Sequence, residues 1–162
     1  MDCNSDCCAK AYLNVYSLKD QTIASLASPT LEVVSVNSGD FDTSLASTTG
    51  EIKSLTHGIY LLNWGLDGIL QPPYPAPIPA WSFSVYINGV LSPGSVSGSF
   101  SISPDDLVIH DAAEIIFELK AGDVFKLVNT CIAAVNAKTT VFGSLVPIAS
   151  ARLNLTMLKK LP

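Results

Sequence analysis

Three stretches of the chain alternate apolar and polar residues with a period of two, a pattern that a strand buried on one face satisfies and a helix does not. In AWSFSVYI (80–87) Trp81, Phe83, Val85 and Ile87 share a face, and in AEIIFEL (113–119) Ala113, Ile115, Phe117 and Leu119 do. In ARLNLTML (151–158) Leu153, Leu155 and Met157 point inward, with Arg152, Asn154 and Thr156 opposite. Turn chemistry separates the apolar runs: NSGD, DG, NG, SPGS, SPDD and AGD fall at sandwich-like spacings. DDLVIHDAAEIIFELK (105–120) holds enough acids and alanine to tempt a helix. Its β-branched and aromatic residues stand two apart, so a strand is expected there as well.

THGIYLLNW (56–64) poses a separate question, because Ile59 and Leu61 point one way and Tyr60, Leu62 and Trp64 the other. A single buried face does not account for apolar residues of both parities. The 162 residues suit one domain, and a composition 48% hydrophobic and 14% charged supplies a substantial core. A mean hydropathy of +0.38 excludes a disordered chain. A formal charge of −5 offers nucleic acid no attractive field, and no apolar run approaches the roughly 20 residues that span a bilayer.

The first ten residues, MDCNSDCCAK, carry two acids where a secretory signal carries bases, so export by the general route is not expected. They read as an N-terminal arm (1–10) ahead of one domain (11–162). Cys3, Cys7 and Cys8 crowd this arm without the paired C-x2-C spacing of a zinc site, which leaves intermolecular disulfides or free thiols. Cys131, in LVNTCIAAV, reads as a small buried hydrophobe. QPPYPAPIPAW (71–81), with prolines at 72, 73, 75, 77 and 79, reads as a stiff connection.

Catalytic signals are missing. His57 and His110 sit in unlike contexts, and no G-x-S-x-G, H-E-x-x-H or phosphate-cradling loop occurs. A triad of His110, Asp111 and a serine exists only on paper, so a non-enzyme is expected, with no cofactor and no metal. Asp105 and Asp106 form the other acidic cluster besides Asp123, which reads as a turn cap rather than a calcium ligand. Asp40 and Asp42 in GDFD read as a solvated loop. Gly58, the pair Asn88 and Gly89, and Gly122 mark positions where turns need conformational freedom.

Taken in order, AYLNVYSL, TLEVVSVNSGDFDTSLASTTGEIKSLTHGIYLLNW, AWSFSVYINGVLSPGS, IIFELKAGDVFKLVN and SARLNLTML resemble the globular head of the complement C-one-q and tumour necrosis factor superfamily. HGIYLLNW resembles the family's Gly-Val-Tyr strand, VYINGV a strand ending in Asn-Gly, and LKAGDVFKL its Leu-x-x-Gly-Asp turn. The resemblance implies an all-β, ten-stranded antiparallel jelly roll that assembles as a trimer around a three-fold axis. One face of GIYLLNW then fills the sandwich and the other meets sister subunits. It makes Ile59, Tyr60, Leu62, Trp64, Phe125 and Leu155 candidates for either the core or the trimer interface. A large apolar set left uncovered would make a lone copy poorly soluble.

Within such a superfamily the expected role is a structural subunit of a bacterial spore surface layer or spore appendage fibre. It would be made in the mother-cell cytoplasm without a signal peptide and placed at the spore surface or exosporium. Its partners would be other copies of itself and possible spore-surface proteins, linked through the cysteine arm. The alternatives are a ligand- or receptor-binding trimeric head, for which the N-L-T at Asn154 would be a glycosylation marker, and a phage decoration trimer.

Overall fold

A computed structural model of the chain describes residues 11–70, 80–100, 108–131, 134–139 and 149–162. The expectations placed on Cys3, Cys7, Cys8, the five prolines of 71–79, and Asp105 and Asp106 lie outside the described residues, as does the side chain of His110.

Each alternating stretch forms a strand. In chain order the strands are β1 (Tyr12–Ser17), β2 (Gln21–Ile23), β3 (Val33–Asn37), β4 (Phe41–Asp42), β5 (Ile52–Ser54), β6 (Gly58–Leu70), β7 (Ala80–Ile87) and β8 (Val90–Leu91). They continue with β9 (Ser97–Phe100), β10 (Val108–Leu119), β11 (Val124–Asn129), β12 (Val135–Ala137) and β13 (Ala151–Lys160). One helical turn, α1 (Ala46–Thr49), lies between β4 and β5 and ends at Gly50, whose φ is +71°.

Among the described residues the strands form two antiparallel sheets of seven and six strands. In the larger sheet β10 pairs with one edge of β6, while β13 and β12 share its other edge end to end; β1 and β2 follow outside them, then β3. The smaller sheet runs β4-β5-β11-β7, with β8 and β9 both on the outer edge of β7. The expected ten strands become thirteen segments because several are only two or three residues long, cut off where turns interrupt pairing. The architecture is that of the jelly roll the sequence resembles. The tempting helix at 105–120 is strand β10 over its described part, paired with β6 from Val108 to Leu119.

Aromatic rings join the sheets. Phe41 and Phe125 of the smaller sheet meet Tyr60 and Phe117 of the larger, with ring centroids 5.6 Å apart for Phe41–Tyr60 and 6.3 Å for Phe117–Phe125. Trp64 meets Phe83 at 6.1 Å. Leu62, Leu66, Leu153, Leu155 and Met157 complete the buried wall of the larger sheet. Fully burying one such side chain contributes about 1.5–3 kcal/mol, so this layer between the sheets dominates the stability of the single chain. The Tyr60 hydroxyl donates to the carbonyl of Thr56 at 2.8 Å, which satisfies its only polar atom, and burial pushes the phenol pKa up.

Candidate functional site: the outward face of the larger sheet

The two parities of β6 now separate. Tyr60, Leu62, Trp64 and Leu66 are buried inside their own chain, while Ile59, Leu61 and Asn63 face outward and are half-buried. Phe125 and Leu155 are also core residues. Of the two alternatives, Tyr60, Leu62 and Trp64 therefore take the core and not the trimer interface, because the second sheet already covers them. Of the six candidates only Ile59 belongs to the outward face.

Antiparallel register arranges that face in rows. One row crosses the sheet as Tyr12, Thr156, Leu61 and Ile116. Tyr12 is 48% exposed and Ile116 60%, so a tyrosine and an isoleucine on a regular sheet stand open to water. The next row reads Val36, Asn14, Asn154, Asn63 and Glu114. Asn14 Nδ2 donates to Asn154 Oδ1 across it. The third row reads Tyr16, Arg152, Gly65 and Ala112. Here the guanidinium lies flat over Gly65, where a Cβ would meet Arg152 nitrogens at 2.6 and 2.8 Å. A Cβ there would require the flexible guanidinium to shift. From this position Arg152 Nη1 reaches the buried carboxylate of Asp67 at 3.5 Å. A shallow depression of about 400 Å³ opens between Asn63, Glu114, Arg152 and Asn154.

At the end of the sheet His57 uses both ring nitrogens. Nδ1 lies 2.7 Å from the Pro162 carbonyl oxygen and Nε2 2.8 Å from Glu118 Oε1. Both partners are acceptors, so the doubly protonated ring fits the geometry, and the Glu118 carboxylate, with the Pro162 oxygen, raises the His57 pKa. The ring thereby ties the C-terminal residues to the sheet.

The turn residues occupy two laced corners. Asn88 and Gly89 both have positive φ, 52° and 78°, as a tight Asn-Gly hairpin demands, and Gly122 has a φ of 98°. Asp123 Oδ2 accepts the Lys120 backbone N–H at 2.8 Å and Oδ1 accepts from Asn88 Nδ2 at 2.8 Å. Its carboxylate therefore joins the two turns. Gly58 is placed differently from the expected turn: it opens β6 as an extended residue, and a Cβ there would meet the Lys159 carbonyl at 2.8 Å. Asp40 is likewise not a loosely solvated loop residue, since it accepts hydrogen bonds from Ser38 and Thr56, and Asp42 accepts the Ser44 N–H. Asn154 stands on a strand in the centre of the sheet rather than on a surface loop. Cys131 is buried.

Among the described residues no three His, Cys, Asp or Glu side chains gather as a metal site, and no helix is long and apolar enough to cross a membrane. Sequence reasoning passed over Asn14, Glu114 and Gly65, took Arg152 as the polar side of a strand, and took Asn154 as that or as a glycosylation marker. The signal was present in β6 itself. Asn63, Gly65 and Asp67 share parity with Ile59 and Leu61, whereas Leu66 shares it with Tyr60, Leu62 and Trp64.

No family model matches the chain, and no curated protein matches it. Solved structures do. Murine APRIL superposes with a TM-score of 0.59 at 12% identity, covering 93% of this chain and 100% of that chain. The globular domain of zebrafish complement 1qA gives 0.58 at 12%, covering 94% and 100%, and the Eiger TNF of S. frugiperda 0.59 at 14%, covering 94% and 94%. At such identities the likeness establishes the fold: a jelly roll of the tumour necrosis factor and complement 1q type.

Proposed function

We propose that this chain is a non-enzymatic structural subunit that assembles as a homotrimer through the outward face of its larger sheet. The observation that carries the reading is the open row of Tyr12, Leu61 and Ile116 across β1, β6 and β10, on a sheet whose opposite face is already filled by the chain's own core. Apolar residues aligned on a regular sheet and left to water favour a partner surface. The fold supports a second copy as that partner, through its likeness to tumour necrosis factor and complement 1q heads. Light scattering on eluting protein tests it: a mass three times that of one chain is expected, and a single-chain mass at all concentrations overturns it.

The finer reading is a subunit of a bacterial spore surface layer or appendage fibre, made in the mother cell and located at the spore surface. It is supported by Cys3, Cys7 and Cys8 preceding the first strand. A contact that repeats without closing makes a fibre. Electron microscopy of the full chain beside a chain beginning at Ala11 tests this: fibres from the first alone, dissolved by reductant, are expected. Dispersed particles from both favour the second reading, a ligand- or receptor-binding trimeric head, which the structural neighbours support.

A further inference from the structure

The outward face is not uniformly apolar, and its charges are sorted. Strand β10, which pairs only with β6 among the described residues, carries outward Glu114 and Glu118 near the sheet edge. Strand β13, two strands further in, carries Arg152, with Lys159 opposite Ile59. Asn63 on β6 lies between them, Asn154 is on β13 beside Arg152, and Asn14 lies beyond it on β1. Within the chain Arg152 pairs with Asp67, and Glu114, exposed on the edge strand, stands two strands away, about 10 Å across at ordinary strand spacing. An acidic edge beside a basic, amide-rich centre is complementary to a second copy shifted sideways, its edge laid on the neighbour's face. Such a contact is head-to-tail, and three of them can close a ring.

We infer that Glu114 of one copy pairs with Arg152 of the next, beside the polar row of Asn14, Asn154 and Asn63, and that this pair sets the register of the assembly. The inference rests on the trimer reading. The apolar row supplies attraction without direction, so copies could slide along it. Amides and a charge pair penalise every offset that leaves them unmatched, as a single polar residue fixes register in an otherwise apolar helical seam. Arg152 is prepared for the task. Gly65 lets the guanidinium lie flat, and Asp67 holds Nη1, while the Arg152 side chain stays 38% exposed.

The test reads self-association by light scattering over a dilution series, with circular dichroism to confirm that each variant folds. Glu114→Arg places like charges together and is expected to weaken association about a hundredfold, Glu114→Gln far less. Adding Arg152→Gln to Glu114→Arg should restore most of the loss, because it removes the like charge that the new arginine faces. Glu114→Arg that assembles like the unsubstituted chain overturns the inference, as does a folded double variant no better than Glu114→Arg alone. Should the double variant not fold, Glu114→Lys decides: loss comparable to Glu114→Arg with Glu114→Gln little changed supports the pair, and equal behaviour of all three overturns it. An unsubstituted chain that stays single removes the trimer reading itself, an outcome distinct from these.

Discussion

The two faces of β6 carry similar apolar residues at their start and have opposite fates. Tyr60, Leu62 and Trp64 disappear against the smaller sheet, while Ile59 and Leu61, their immediate neighbours in sequence, remain half-open on the other side. Residue chemistry alone does not separate them. What separates them is company: the inward set stacks on Phe41, Phe83 and the leucines of β13, and the outward set is continued by Asn63, the close-packed Gly65 and Asp67. One face is finished by the chain itself, and the other is left open on the outside of the sheet.

The sharpest way to break this comparison is to truncate one residue on each face. Trp64→Ala should cost about 3–5 kcal/mol in urea unfolding. Ile116→Ser, on the outward face, should change the unfolding of the single chain by less than about 0.5 kcal/mol while lowering the assembled mass in light scattering. Equal costs at the two sites would mean that the faces are not distinct. Gly65→Val comes next. Its side chain must push the Arg152 guanidinium away from Asp67, and a loss of about 1 kcal/mol is expected in the same assay. A neutral result would show that the guanidinium does not depend on that space.

Asp123→Ala removes the acceptor of both the Lys120 N–H and the Asn88 amide, at an expected cost of about 1 kcal/mol, measurable as a shift in the unfolding midpoint. The smallest effect concerns pH. The His57 pKa is raised in the folded chain, so its contribution to stability is fully present below the ordinary imidazole value and is lost as pH rises through the raised one. Glu118→Gln should bring the His57 titration, followed by NMR, back toward the ordinary value. An unmoved titration would show that Glu118 is not the cause.

Much of the fold was legible because strands announce themselves by alternation and turns by their special residues. The parity of Phe83, Val85 and Ile87, of Phe117 and Leu119, and of Leu153, Leu155 and Met157 matches the core that forms. Asn88–Gly89 adopts the positive φ values its dipeptide requires. The site was less legible because it is assembled by register. Asn14, Asn154, Asn63 and Glu114 come from four separated stretches of the chain, and nothing local in any of them marks the row. Gly58 was misread for a related reason, since the glycine answers to the Lys159 carbonyl, a neighbour brought by pairing, and not to a turn of its own.

The amino-acid order by itself determined that this chain is a β-sandwich, where it turns and which residues of its alternating strands face inward, because side-chain period and backbone freedom are local properties. Only the tertiary structure decided which side of β6 the core would claim, and which amides and charges would be aligned on the side left over. Those depend on strand register, and register is settled by the simultaneous burial of residues far apart in the chain.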